Sequence, residues 1–100
     1  MKQVTQEDMV NKCHKVSELL KHLAHPGRLM LICLMKDDEY TVTQLSQKSG
    51  MSTSAVSQAL GKMYNAHLIT KQKSDVKTFY PICSPKLFKM MHSMSVIFCD

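Results

Sequence analysis

TVTQLSQKSGMSTSAVSQALGKMYNAHLITKQKSDVKTFYPIC, residues Thr41 to Cys83, is the stretch that decides the fold. Thr41-Val42-Thr43-Gln44 has capping-box form, a threonine cap with a glutamine three residues on that reaches back to it. The helix it opens is predicted to run to about Ser49, where Gly50 supplies the left-handed backbone that ends it. Ser52 or Thr53 then caps a second helix whose inward residues are Val56, Leu60 and Met63. Its outer face offers Thr53, Ser54, Ser57, Gln58, Gly61 and Lys62. Leu68 to Ile82 reads as two short strands with a turn near Ser74-Asp75 and Pro81 closing the second strand.

Outward from this stretch the pattern is helical. A first helix starts near Thr5, with Asp8 as a weak capping partner and an apolar stripe of Met9, Cys13, Val16, Leu20 and Leu23. Pro26 fits the first position of a second helix, where its missing N–H costs nothing. Leu29, Ile32, Cys33 and Met35 make that helix strongly apolar and place it centrally. Ser84-Pro85 opens a last helix with a stripe of Leu87, Met91, Met94 and Phe98, flanked by Met90 and Ile97. The expected architecture is mainly α: one domain over residues 1–100, about five helices and a two-stranded β-hairpin wing, a winged helix-turn-helix.

Charge sharpens this. The net charge is +5, and residues 1–39 are neutral, with six basic and six acidic side chains. Residues 40–99 hold seven lysines against one acid, Asp75. The excess lies in the part of the chain that carries the second helix of the pair and the hairpin, which suits a polyanionic partner, although charge alone is equally consistent with a solvated basic surface. Short hydroxyl and amide side chains on one helical face can approach base edges, where glutamine bonds adenine bidentately and serine or threonine serves several bases or the phosphates. The residues expected to meet double-stranded DNA are Thr53, Ser54, Ser57, Gln58 and Lys62 on the helix and Lys71, Lys73 and Lys77 on the hairpin. An enzyme is not expected, since no nucleophile–base set, phosphate loop or closed metal motif is present, and no cofactor is implied. No apolar run approaches the ~20 residues of a membrane span, and the N-terminus lacks a signal-peptide core. A cytoplasmic protein with reduced cysteines is expected.

The runs LLKHLAHPGRLMLICLM (Leu19–Met35) and TVTQLSQKSGMSTSAVSQALGKM (Thr41–Met63) resemble the ArsR/SmtB family of winged-helix repressors. The resemblance rests on Ala24-His25-Pro26-Gly27-Arg28-Leu29 and on Met51 to Gln58, and it extends from Leu19 to Ile82 without a gap. It implies a homodimer formed by the first and last helices, on an operator with two-fold symmetry. Three positions depart from the family pattern. Ala59 stands where histidine is often found, which removes one donor. His67 replaces the glycine that ends the reading helix, and Asp75 replaces glycine at the wing tip, where an acid repels phosphate. Gly61 falls inside the helix, at a cost of ~1 kcal/mol relative to alanine, a pattern compatible with a close approach of the helix backbone to a neighbour.

The resemblance also frames the signal. Family metal sites use a Cys-x-Cys pair opening the third helix, or acids and histidines along the last, and neither is present. Cys13-His14 and His22-x-x-His25 carry zinc-ligand chemistry but read as surface or packing residues, and no metal site is expected. The placement of Cys33 and Cys99 is similar to the redox- and sulfide-responsive branch of the family, the BigR/SqrR-like and HlyU-like repressors. In that branch two thiols join as a disulfide or a polysulfur bridge and DNA is released. The resemblance therefore implies a small oxidant or reactive sulfur species as inducer, sensed by Cys33 and Cys99. The residues alone favour reading Cys33 as a small buried hydrophobe, and leave Cys13 and Cys83 without a role. A metal-responsive repressor and a winged helix that binds protein remain the alternatives.

Overall fold

The computed structural model describes residues 5–98, and Cys99, one of the two positions expected to sense oxidants, lies outside the described residues. Five helices and one antiparallel hairpin follow in the order α1 (Gln6–Leu23), α2 (Pro26–Met35), α3 (Val42–Ser49), α4 (Thr53–Asn65), β1 (Gln72–Ser74), β2 (Lys77–Phe79) and α5 (Pro85–Phe98).

Local chemistry sets most of the boundaries. Thr5 Oγ1 accepts the Asp8 N–H at 3.1 Å and caps α1. Pro26 takes the first turn of α2. The predicted capping box is complete at α3: Thr41 Oγ1 accepts from the Gln44 N–H at 3.2 Å, and Gln44 Oε1 accepts from the Thr41 N–H at 2.9 Å. Gly50 ends α3 at φ 77°. Of the two candidates for the next cap, Ser52 takes the role, its Oγ accepting from Ala55 at 3.1 Å. The last helix is capped by Ser84, which accepts from Leu87 at 3.2 Å.

The core is one cluster built around the helix pair. Leu31, Ile32 and Met35 from α2, Leu45 from α3, Val56, Leu60 and Met63 from α4, and Leu87 and Met91 from α5 are buried together with Leu23 at the end of α1. Burial of this kind supplies the main favourable term in folding. The apolar stripes of the first and last helices are partly uncovered, as expected of faces that a lone domain cannot bury. Along α1, Met9, Val16 and Leu20 are exposed, and at the end of α5 Phe98 is 78% exposed. A chain of this length has too little interior to cover both outer helices.

Cys33 is exposed and not a member of the core, against the reading of it as a small buried hydrophobe. The reason is the composition of α2, which is apolar nearly all round, so that neighbours on one side bury Leu31, Ile32 and Met35 and leave the Cys33 side open. The hairpin is also shorter than the span read from sequence. Its ladder pairs Gln72 with Phe79, Lys73 with Thr78 and Ser74 with Lys77, and an isolated bridge joins Ile69 to Ile82 at its base.

Candidate nucleic-acid interface

The turn between α3 and α4 is fixed by side chains on both sides. Ser46 Oγ donates to the Met51 carbonyl at 2.6 Å, and Ser49 Oγ accepts from the Met51 N–H at 3.1 Å. With Gly50 in the left-handed region and Ser52 capping α4, the angle between the two helices is set by four consecutive local interactions. The outer face of α4 therefore has a defined direction. Thr53, Ser54, Ser57, Gln58 and Lys62 are all exposed on it, as expected, with Val56, Leu60 and Met63 inward.

Ala59 belongs to the inward set, at 8% exposure. The loss of a donor there, inferred from the family pattern, does not thin the exposed face, because that position faces the core. The exit of α4 follows the Schellman arrangement, with the Leu68 N–H bonded to the Met63 carbonyl and the His67 N–H to the Tyr64 carbonyl, both at 3.0 Å. His67 stands at φ 61°, so histidine carries out the left-handed stop that glycine usually provides. The Cys83 thiol donates to the His67 carbonyl at 3.5 Å, which gives this cysteine a structural contact at the base of the wing that sequence did not suggest.

The wing stands beside α4 and carries Lys71, Lys73 and Lys77, all exposed. Lys71 Nζ lies 4.9 Å from the centre of the Tyr64 ring, a cation–π contact that holds the start of the wing to the last turn of α4. The turn itself has Asp75 at φ 54°, a conformation that aspartate tolerates better than most residues. Val76 next to it is 94% exposed, so the tip presents an acid and an apolar side chain while the lysines sit back along the strands.

A groove of about 600 Å³ runs between α2 and the last turns of α5. Cys33 lines it together with Leu29, Met91, Met94, Ser95 and Phe98, with Lys36 and Asp37 at one end. Phe98 immediately precedes Cys99 in the chain. Among the described residues no three histidine, cysteine or acidic side chains converge as a metal site, and His22 Nδ1 is engaged by Arg28. No described helix is long and apolar enough to cross a membrane.

Comparison with known proteins agrees with this architecture. Residues 25–71 match the family described as bacterial regulatory protein, arsR family. The biofilm growth-associated repressor of Xylella fastidiosa is 32% identical over 96 residues, covering 96% of this chain and 84% of the relative. The transcriptional activator HlyU of Vibrio cholerae is 29% identical, over 94% of this chain and 87% of the relative. In structure, the transcriptional repressor BigR from Xylella fastidiosa superposes with a TM-score of 0.84 at 32% identity, over 97% of this chain and 99% of the other. Reduced HlyU from Vibrio cholerae superposes with a TM-score of 0.88 at 29% identity, over 94% and 99%.

Proposed function

This chain belongs to the arsR family of bacterial regulatory proteins, and from that premise we propose that it is a homodimeric repressor whose hold on its operator is released by oxidation or persulfidation of Cys33 and Cys99. The observation that carries the DNA-binding part is the exposed row of Thr53, Ser54, Ser57, Gln58 and Lys62 on α4, set beside a wing bearing Lys71, Lys73 and Lys77. The α4 side chains are suited to base edges and phosphates, the wing lysines to phosphates alone. Regulation in the negative sense is favoured by the repressor from Xylella fastidiosa, while HlyU, a relative of similar coverage, is an activator.

The switch is supported by the exposure of Cys33 and by its groove, which it shares with the residue preceding Cys99. The chemistry is thiol–disulfide exchange. A Cys33 thiolate attacks a sulfur of an organic polysulfide and expels a sulfur leaving group. The Cys99 thiolate then attacks the mixed disulfide and expels the remainder, so two electrons pass from the two thiols to the polysulfide and a bridge joins α2 to the end of α5. A direct disulfide requires Cα atoms within about 7 Å, and retained sulfurs relax that limit.

Duplexes selected by the reduced protein from a random-sequence pool test both parts. Reduced protein is expected to bind them, and organic polysulfide treatment to weaken binding, with an intramolecular Cys33–Cys99 cross-link in the wild type that Cys33→Ser and Cys99→Ser cannot form. Unchanged affinity in treated wild-type protein refutes the switch. Absence of any salt-dependent duplex binding refutes the DNA-binding reading and points to a protein partner.

A further inference from the structure

Gly61 breaks the pattern of α4. It lies inside the helix Thr53–Asn65, where glycine is the worst choice apart from proline, because it has the most backbone freedom to lose. Two structural reasons commonly keep a glycine in such a place: a left-handed backbone, or a neighbour too close to admit a Cβ. Gly61 has neither. Its φ is not positive. Beyond its chain neighbours and the helix's own backbone, a Cβ built on it meets no heavy atom within 4 Å. The packing of this chain therefore gives no reason for the missing side chain.

The position of Gly61 supplies one. At 3.6 residues per turn it points away from Ala59 and Met63 and sits among Ser57, Gln58 and Asn65, within the exposed face. With Leu60 it also floors a concavity of about 380 Å³ between α4 and the wing, bordered by Ser57, Tyr64, Asn65, Lys71 and Tyr80. That border carries three hydroxyls, an amide and an ammonium group, and no carboxylate. Lys71 is held there by its contact with the Tyr64 ring. Neutral donors and one cation around a bare stretch of helix suit a phosphodiester, which is anionic and accepts hydrogen bonds.

We propose that this concavity is a cradle for the sugar–phosphate backbone of one DNA strand, with Gly61 as its floor and Ser57, Asn65 and Lys71 as its polar walls. The inference rests on the DNA-binding reading and adds a site to it. A methyl group at position 61 holds the strand off the helix and shortens the reach of every reading side chain on α4. Stability given up in the helix is thus exchanged for closeness to the duplex.

Duplexes selected by wild-type protein from a random-sequence pool, and a scrambled duplex of equal length, serve as probes at low salt. Gly61→Ala is expected to raise the melting temperature by roughly 5 °C. It is expected to weaken binding to both duplexes about ten-fold, and Gly61→Leu to weaken it further. Unchanged affinity of Gly61→Ala overturns the cradle and leaves DNA binding standing. A loss confined to the selected sequence overturns the backbone assignment, since it marks a base contact. A lowered melting temperature also overturns it, because the methyl group would then meet something within the protein. Wild-type protein that retains no duplex overturns the cradle and the DNA-binding reading together.

Discussion

Arg28 Nη1 and His22 Nδ1 lie 3.1 Å apart where α1 gives way to α2. A guanidinium only donates, so Nδ1 must accept, and the imidazole is neutral with its proton on Nε2. Partial burial pushes the His22 pKa below its ordinary 6.5, helped by Arg28, Lys21 and, from the reading helix, Lys62, against the opposing charge of Glu18. The pair ties the α1–α2 corner to the electrostatics of α4.

Stability should therefore depend on pH through this residue. A folded-state pKa below 6.5 means that the unfolded chain binds more protons as the solution is acidified. The contribution is fully present above 6.5 and is lost as pH falls through the lower, folded-state value. Melting curves from about pH 7.5 to about pH 5.5 should show wild type losing more stability than His22→Gln. Parallel curves would remove His22 from the account.

Base reading and phosphate contact should separate by mutation. Gln58→Ala should reduce discrimination between selected and scrambled duplexes by roughly 1–3 kcal/mol where the side chain meets a base edge. Lys73→Ala should weaken both duplexes alike and flatten the dependence of log affinity on log salt by about one unit. Titrations at several salt concentrations check both, and a sequence-selective loss in Lys73→Ala would contradict its assignment to phosphate.

Association should fail when charge enters the exposed stripe of α1. Val16 and Leu20 lie beside Cys13 around a shallow apolar surface, and Val96, Ile97 and Phe98 leave α5 similarly uncovered. Val16→Glu should shift sedimentation from dimer towards monomer and lower the affinity for a two-fold symmetric duplex, which needs both reading helices. A dimer that persists unchanged would move the interface away from α1.

How much of this was legible beforehand follows from how local each signal is. Caps and stops are written in neighbouring residues: Thr41 with Gln44, Gly50, Ser52, and Ser84 with Pro85. The exposed face of α4 was legible for the same reason, since a 3.6-residue period assigns sides once Val56, Leu60 and Met63 are inward. The unusual stop at His67 was foreseen because histidine tolerates the left-handed region, and it occupies that region.

Sequence by itself thus determined the helix pair, the hairpin, the inward and outward faces of α4 and the lysine excess, all properties of spacing and composition. Tertiary structure decided what periodicity cannot. In α2 an almost uniformly apolar sequence has no preferred side, so only the neighbours packed on Leu31, Ile32 and Met35 could leave Cys33 facing a groove instead of the core. Ala59 was assigned inward by the same kind of contact, and the Arg28–His22 and Cys83–His67 pairs arose from chain segments brought together by packing. The emptiness around Gly61 belongs to this second class, because a sequence can show a glycine in a helix but not the space beyond it.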